Sequence, residues 1–231
     1  MKTKLMLTLV PLAFAATAMA IDRTELDSRI RTLTSRFEAM QQRPDRRIPA
    51  ENLRKAQGIV LLDRTKAGFI FAYQGGSGVA LVRDPKSDKW GPAAFLTANE
   101  ASLGFQVGGE RNFFVILFMS TNATRLLTVP NVMAGGEARG TAGDSTAVAE
   151  GTVTSPGTDV LVYDERKGLY AGAALKGGSI APDENANHAY YGQFLSMQEI
   201  LFEHKVKPTD AAAELARKLT DYTKAPAYSR K

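Results

Sequence analysis

The sequence predicts an α+β fold: a Gly-rich, largely antiparallel β core, sandwich or barrel-like, with N- and C-terminal helices packed on it. Three observations lead there. All 20 glycines of the 231-residue chain fall between positions 58 and 192. Glycine weakens helix interiors and suits tight turns and close backbone contacts. The same stretch holds the only Trp and most of the β-branched and aromatic runs. Both flanks, by contrast, carry apolar residues at helical spacing.

The chain opens on two lysines, Lys2 and Lys4, followed by an apolar run over residues 5–16 and by Ala18-Met19-Ala20. A basic start, a short apolar stretch and small residues at −3 and −1 have the pattern of a secretory signal peptide. The run is short for a membrane span; a buried N-terminal helix is the alternative. The expected organisation is a signal peptide over 1–20, cleaved near Ala20, and one domain over 21–231. Within it, residues 22–57 form N-terminal helices, 58–192 the β core and 193–231 C-terminal helices. Such a chain is expected in the periplasm or outside the cell. The absence of Cys excludes disulfides, thiolate metal sites and a lipoprotein anchor.

Residues 22–42 read as an amphipathic helix, with Leu26, Ile30, Leu33, Phe37 and Met40 in one stripe. A polar connection bracketed by Pro44 and Pro49 leads to a short helix over 50–57, with Gly58 at its C-terminal end. Strands are expected over 59–62, then over 68–73 and 79–82 joined through Gly75, Gly76, Ser77 and Gly78. A turn over 85–88 precedes short strands at 93–97 and 102–107. Residues 113–119 are apolar without a break, which fits a strand buried on both faces or a buried helix. One or two helical turns are expected over 121–127. Residues 135–157 read as a long Gly/Ala/Thr/Ser loop with short strands. Residues 158–163 and 169–175 read as a hairpin about a polar turn. Residues 183–203 read as helical in pieces, and Pro208-Thr209-Asp210 starts a last helix with the stripe Ala212, Leu215, Leu219 and Tyr222.

Charge is unevenly spread. Residues 21–66 carry eleven Lys/Arg against seven Asp/Glu, whereas 67–231 carry 16 against 17. The basic excess belongs to the N-terminal segment, which points to an anionic surface as partner and not to nucleic acid in a basic groove. Arg29, Arg36 and Arg43 recur every seven residues beside the apolar stripe, and Arg46, Arg47, Arg54 and Lys55 extend the charge. A helix with this pattern suits a membrane interface, each cation near an anionic surface contributing about 1 kcal/mol. The plainer alternative is that the stripe docks on the core and that Glu25 pairs with Arg29, and Asp27 with Arg31, along the helix.

Catalytic signatures are weak. The two histidines, His188 and His204, stand apart and without Cys, so no metal site is marked. Ser77 and Ser102 each lack a flanking glycine of a nucleophile elbow. The loop Gly135-Gly136-Glu137-Ala138-Arg139-Gly140 lacks the Lys and Ser/Thr of a phosphate loop, and a strand, not a helix, is expected after Gly78. No cofactor or metal is expected, and an enzyme is the weakest reading; it would need groups such as Asp183, His188 and Glu100 to converge on a cleft.

Several segments of the core are similar to one family. They are Lys66-Ala67-Gly68-Phe69 with Gly76-Ser77-Gly78, Trp90-Gly91-Pro92, and Gly104-Phe105-Gln106-Val107-Gly108. Tyr163-Asp164-Glu165-Arg166-Lys167-Gly168-Leu169-Tyr170-Ala171-Gly172 and Asn187-His188-Ala189-Tyr190-Tyr191-Gly192 complete the set. In this order, over roughly residues 30–205, they resemble the SYLF lipid-binding domain, also called the yeast actin-patch type of actin-binding domain. The resemblance implies binding of phosphoinositide or other anionic lipid, and actin binding in eukaryotic relatives. Lipid binding in the family is ascribed to a basic amphipathic N-terminal helix and the domain surface, which here falls on Arg29, Arg36, Arg43, Arg46, Arg47, Arg54 and Lys55. The expected function is therefore a non-enzymatic exported protein that binds an anionic lipid surface peripherally. The alternative is a structural or protein-interaction module of the cell envelope, with an envelope protein as partner.

Overall fold

The computed structural model describes residues 21–67, 71–103, 110–129, 132–133, 160–166, 168–169 and 179–224. The expected signal peptide, the Gly104–Gly108 motif and the 135–157 loop lie outside them.

Among the described residues, six α-helices and eight strands follow one another. They are α1 (Arg23–Gln41), α2 (Ala50–Lys55), β1 (Gly58–Ala67), β2 (Phe71–Val82), β3 (Ala94–Leu103) and β4 (Glu110–Phe118). Then come α3 (Thr121–Thr124), a 3-10 turn (Arg125–Thr128), β5 (Val132–Met133), β6 (Val160–Asp164), β7 (Gly168–Leu169) and β8 (Ser179–Pro182). The chain closes with α4 (Glu184–Tyr191), α5 (Met197–Leu201) and α6 (Asp210–Thr223). The strands form a single antiparallel sheet in the order β5-β8-β3-β2-β1-β4-β6-β7. The α+β class with an antiparallel core stands, and between sandwich and barrel the described strands realise neither closure nor a second sheet. Both faces of one sheet carry a core instead.

The central strands explain this. Ile59, Val60, Leu61 and Leu62 of β1 are all fully buried, as are Val115, Ile116 and Leu117 of β4. Alternate side chains point to opposite faces of a sheet, so both faces must be covered. On one face Ile59, Leu61, Val79, Leu81, Phe95, Phe113 and Val115 meet the stripe of α1 together with α2, α4 and α6. On the other, Val60, Leu62, Ala80, Leu96, Phe114 and Ile116 meet Ala123, Leu127 and Met197, Ile200 and Leu201 of α5. The result is three layers, helices on sheet on helices. It also decides residues 113–119 in favour of a strand.

Several boundaries differ from expectation. The glycines at 75–78 do not join two strands; β2 runs straight through them, paired with β1 from Tyr73 to Val82. They serve close approach. A Cβ on Gly78 would lie 2.6 Å from Leu61 O, and one on Gly76 would lie 2.7 Å from Asp63 O. The strands expected at 93–97 and 102–107 are one strand as far as Leu103. Helix α2 stops at Lys55 because Ala56 is already extended at φ −63°, ψ 129°. Gly58 therefore opens β1 instead of capping the helix, and Thr124 Cγ2 occupies the space of its missing Cβ at 2.8 Å.

The helix ends follow the sequence closely. Asp22 accepts from Glu25 N, Asp183 from Ala186 N and Thr209 from Ala212 N, each filling a vacant donor at a helix start. Ser196 and Glu199 form a reciprocal capping box on α5. Gly192 ends α4 at φ +69°, a left-handed conformation that glycine adopts without strain.

Candidate functional site

The apolar stripe of α1 is docked: Leu26, Ile30, Leu33, Phe37 and Met40 are at most 2% exposed. At about 2 kcal/mol for each large apolar side chain, this packing is worth on the order of 10 kcal/mol. A membrane would re-bury the stripe but not the sheet face that its departure uncovers. Helix α6 clamps α1 from outside, through the edge-on contact of Phe37 with Tyr222 at 5.5 Å and the ion pair of Lys218 with Glu38.

Docking divides the seven candidate cations into two groups. Arg29 and Arg36 face the molecule. Arg29 lies 3.7 Å from Asp183 and over the Phe95 ring. Arg36, only 22% exposed, lies 2.7 Å from Asp63 and 2.5 Å from Glu165, over the Phe113 ring. Both act as clasps between α1 and the sheet layer.

Of the other five, Arg43, Arg46 and Arg47 lie in the α1–α2 turn and Arg54 and Lys55 at the end of α2. Arg43 is half exposed and donates to Glu165 O at 3.4 Å. Arg46 Nε sits 2.9 Å from Asp45. The backbone N–H groups of Arg46 and Arg47 both donate to Arg43 O, at 3.0 and 2.8 Å, which folds the turn. The buried Gln41 amide fixes its far end, accepting from Ile48 N at 2.7 Å and donating to Ile48 O at 3.4 Å. Arg54 donates to Thr223 O at the end of α6 at 3.0 Å, where a cation also suits the helix dipole. Lys55 pairs with Glu51 at 2.7 Å on the exposed face of α2. Residues 43–55 thus carry five Lys/Arg against two Asp/Glu on one surface segment. Of the two helix pairs expected from spacing, Glu25–Arg29 forms at 4.0 Å. Asp27 instead accepts from the Tyr190 hydroxyl.

Several described residues of the core motifs act as fasteners. Asn187 accepts from Phe95 N at 2.7 Å and donates to Phe95 O at 3.2 Å, completing the ladder at the start of β3. Tyr190 OH meets both Asp27 of α1 and Thr209 at the cap of α6, and Tyr191 OH donates to Ala93 O. Burial first, and the hydrogen bond with Asp27 second, raises the Tyr190 pKa well above the usual phenol value. Tyr163 takes a hydrogen bond from Asn52 at 2.7 Å. Asp164 accepts from Arg166 N at 2.7 Å and shapes the turn that presents Glu165 to Arg36. Around Trp90-Gly91-Pro92, Arg83 stacks on the indole at 4.4 Å and donates to Ala56 O, Leu53 O and Asp88. One side chain thereby holds the end of α2, the β2–β3 connection and the Trp.

Two of the three groups named for a hydrolase are engaged elsewhere. Asp183 caps α4 and meets Arg29, His188 stacks on Phe194 at 3.8 Å, and the Glu100 side chain is outside the described ones. Among the described residues no three metal-ligating side chains gather, and no helix is long and apolar enough to cross a membrane.

Residues 99–222 match the Ysc84 family, described as a Las17-binding protein actin regulator. The chain is 32% identical over 183 residues to the SH3 domain-containing YSC84-like protein 1 of Xenopus laevis, covering 78% of this chain and 54% of that protein. It is 32% identical over 177 residues to Protein YSC84 of Saccharomyces cerevisiae, covering 75% and 37%. To the human SH3 domain-containing YSC84-like protein 1 it is 30% identical over 170 residues, covering 73% and 49%. The chain belongs to the Ysc84, or SYLF, family. It spans about half the length of the curated vertebrate relatives it matches, and less of the yeast protein.

Proposed function

We propose that this is an exported, non-enzymatic SYLF domain that binds an anionic membrane surface peripherally, with α1 docked throughout. The contact surface is the α1–α2 turn and α2, with Arg43, Arg46, Arg47, Arg54 and Lys55 as its cations. The observation that carries the reading is the placement of charge. The basic excess of the N-terminal segment survives docking as a surface segment, whereas the apolar stripe does not. Binding is then electrostatic, each cation contributing about 1 kcal/mol near an anionic bilayer, and weakens with salt. Co-sedimentation with phosphatidylcholine vesicles with and without phosphatidylglycerol tests it. Binding only with anionic lipid, falling between low and physiological salt, is expected; equal binding to neutral vesicles, or none to either, refutes it.

A second reading, a protein-interaction module of the envelope, draws support from the family's description as a protein-binding regulator and from Phe194. That side chain is 84% exposed, yet fixed by the His188 stack between the Gly192 cap and the α5 capping box. A rigid exposed aromatic is the residue type that anchors protein interfaces. Pull-down of a defined envelope protein lost on F194A, with vesicle binding absent, would favour it.

A further inference from the structure

The β2–β3 connection and the α5–α6 connection enclose a cleft of about 250 Å³, lined among others by Asp84, Lys89, Trp90, His204, Val206 and Lys207. It is rich in donors. Lys89 and Lys207, and Lys86 in the same connection as Lys89, have no carboxylate partner among the described residues, in contrast to most cations of the helices. The acids nearby are engaged. Asp84 accepts from Ser87 N at 2.9 Å and Lys86 N at 2.7 Å, bonds that hold it below the usual carboxylate range. Its other oxygen lies 3.4 Å from His204 Nδ1. Asp88 meets Arg83 at 3.2 Å.

Two features mark the cleft as built. His204, two residues past the Phe202 cap of α5, has φ +51°, a left-handed conformation that costs residues other than Gly about 1 kcal/mol. Its ring sits so close to Gly91 that a Cβ there would lie 3.2 Å from Nε2. Trp90 is 7% exposed and its Nε1 is buried without a hydrogen-bond partner among the described residues, a costly arrangement in an unliganded core. Pro92, Val206 and Pro208 supply an apolar wall.

We propose that this cleft binds a phosphate-bearing anion, with Lys89 and Lys207 as its cations and the apolar wall receiving the uncharged part of the ligand. The inference rests on the anionic-surface reading and extends it. Arg83 ties this connection to the end of α2, the helix that carries Arg54 and Lys55. A lipid headgroup and a soluble phosphate ester share the chemistry, and the test separates them.

Trp90 is the only Trp, so its fluorescence and indole N–H resonance report on the cleft alone. Wild type and K89Q/K207Q are titrated with sn-glycerol 3-phosphate, with inorganic phosphate, and with phosphatidylcholine vesicles with and without phosphatidylglycerol. Both lysines are exposed and without a carboxylate partner among the described residues, so the variant should keep the wild-type unfolding midpoint. The expected result is a saturable Trp90 signal with glycerol phosphate that weakens about tenfold in the variant, and a similar loss of binding to anionic vesicles. A saturable signal with the soluble phosphates and no vesicle binding upholds the cleft with a soluble ligand and refutes the membrane reading. Vesicle binding equal in wild type and variant, with no saturable Trp90 signal, overturns the cleft and leaves the membrane reading standing. No signal and no vesicle binding overturns both.

Discussion

Asn187 holds Phe95 by both ends of its amide, accepting from its N–H at 2.7 Å and donating to its carbonyl at 3.2 Å. A buried side chain thereby does the work of a neighbouring strand and pins α4 to the start of β3. Asn187→Ala leaves Phe95 N–H buried without this partner, while Phe95 O keeps the bond from Asp183 N at 3.0 Å, and a loss of about 1–3 kcal/mol is expected. Urea unfolding checks it. Asn187→Asp should cost at least as much, since its carboxylate can only accept and would face Phe95 O.

Arg36 makes the same kind of link with charge, between α1 and the turn after β6. Arg36→Gln removes the partner of Asp63 and Glu165 and uncovers the Phe113 ring. The expected loss of stability is about 1–3 kcal/mol, seen as a lower urea midpoint. Anionic vesicle binding should stay within about twofold of wild type, because in the account above this arginine fastens the helix and meets no lipid.

Much of this was legible in the sequence, and what was not has physical causes. The stripe Leu26, Ile30, Leu33, Phe37 and Met40 identified α1, because helical period and burial coincide there. The start of α6 at Thr209 coincides with its Pro208-Thr209-Asp210 signal. The run of glycines at 75–78 misled, since glycine marks both turns and close backbone approach. Only the position of Leu61 O and Asp63 O on the neighbouring strand tells which applies. The surroundings of the arginine heptad were hidden for a related reason. Spacing places Arg29, Arg36 and Arg43 on one side of a helix, but Asp63, Asp183 and Glu165, which decide whether that side is free, come from distant segments. The cleft of Lys89 and Lys207 was invisible because its walls are more than a hundred residues apart.

Gly78 tests the close-approach explanation. Gly78→Ala places a Cβ against Leu61 backbone in the sheet centre, where neither strand can yield. A loss of about 2–3 kcal/mol is expected. Gly192→Ala meets no neighbour within 4 Å and carries only the penalty of its positive φ, about 1 kcal/mol. Comparable effects at the two sites would contradict the assignment.

Alkaline pH should loosen the tyrosine fasteners. The ordinary tyrosine value is 10.0, and burial first of all raises it in folded Tyr190, Tyr191 and Tyr163. The folded state therefore holds these protons more tightly than the unfolded state. Their contribution is fully present below about pH 10 and falls as pH rises above it toward the folded values. Thermal unfolding between pH 8 and 11 should show a steep decline above pH 10. Tyr190→Phe should be less stable at pH 8 through loss of the Asp27 and Thr209 bonds, yet decline less steeply above pH 10.

The most direct measurement compares two variants of the full protein on phosphatidylglycerol-containing vesicles: R29Q/R36Q, which loses the inward arginines, and R43Q/R47Q/K55Q, which loses three outward cations. The account predicts wild-type-like partitioning for the first at a temperature where it remains folded. For the second it predicts a loss of about a hundredfold, at ~1 kcal/mol for each cation. Weakened binding of the folded first variant with the second unaffected would contradict it, and would return lipid recognition to the inward face of α1.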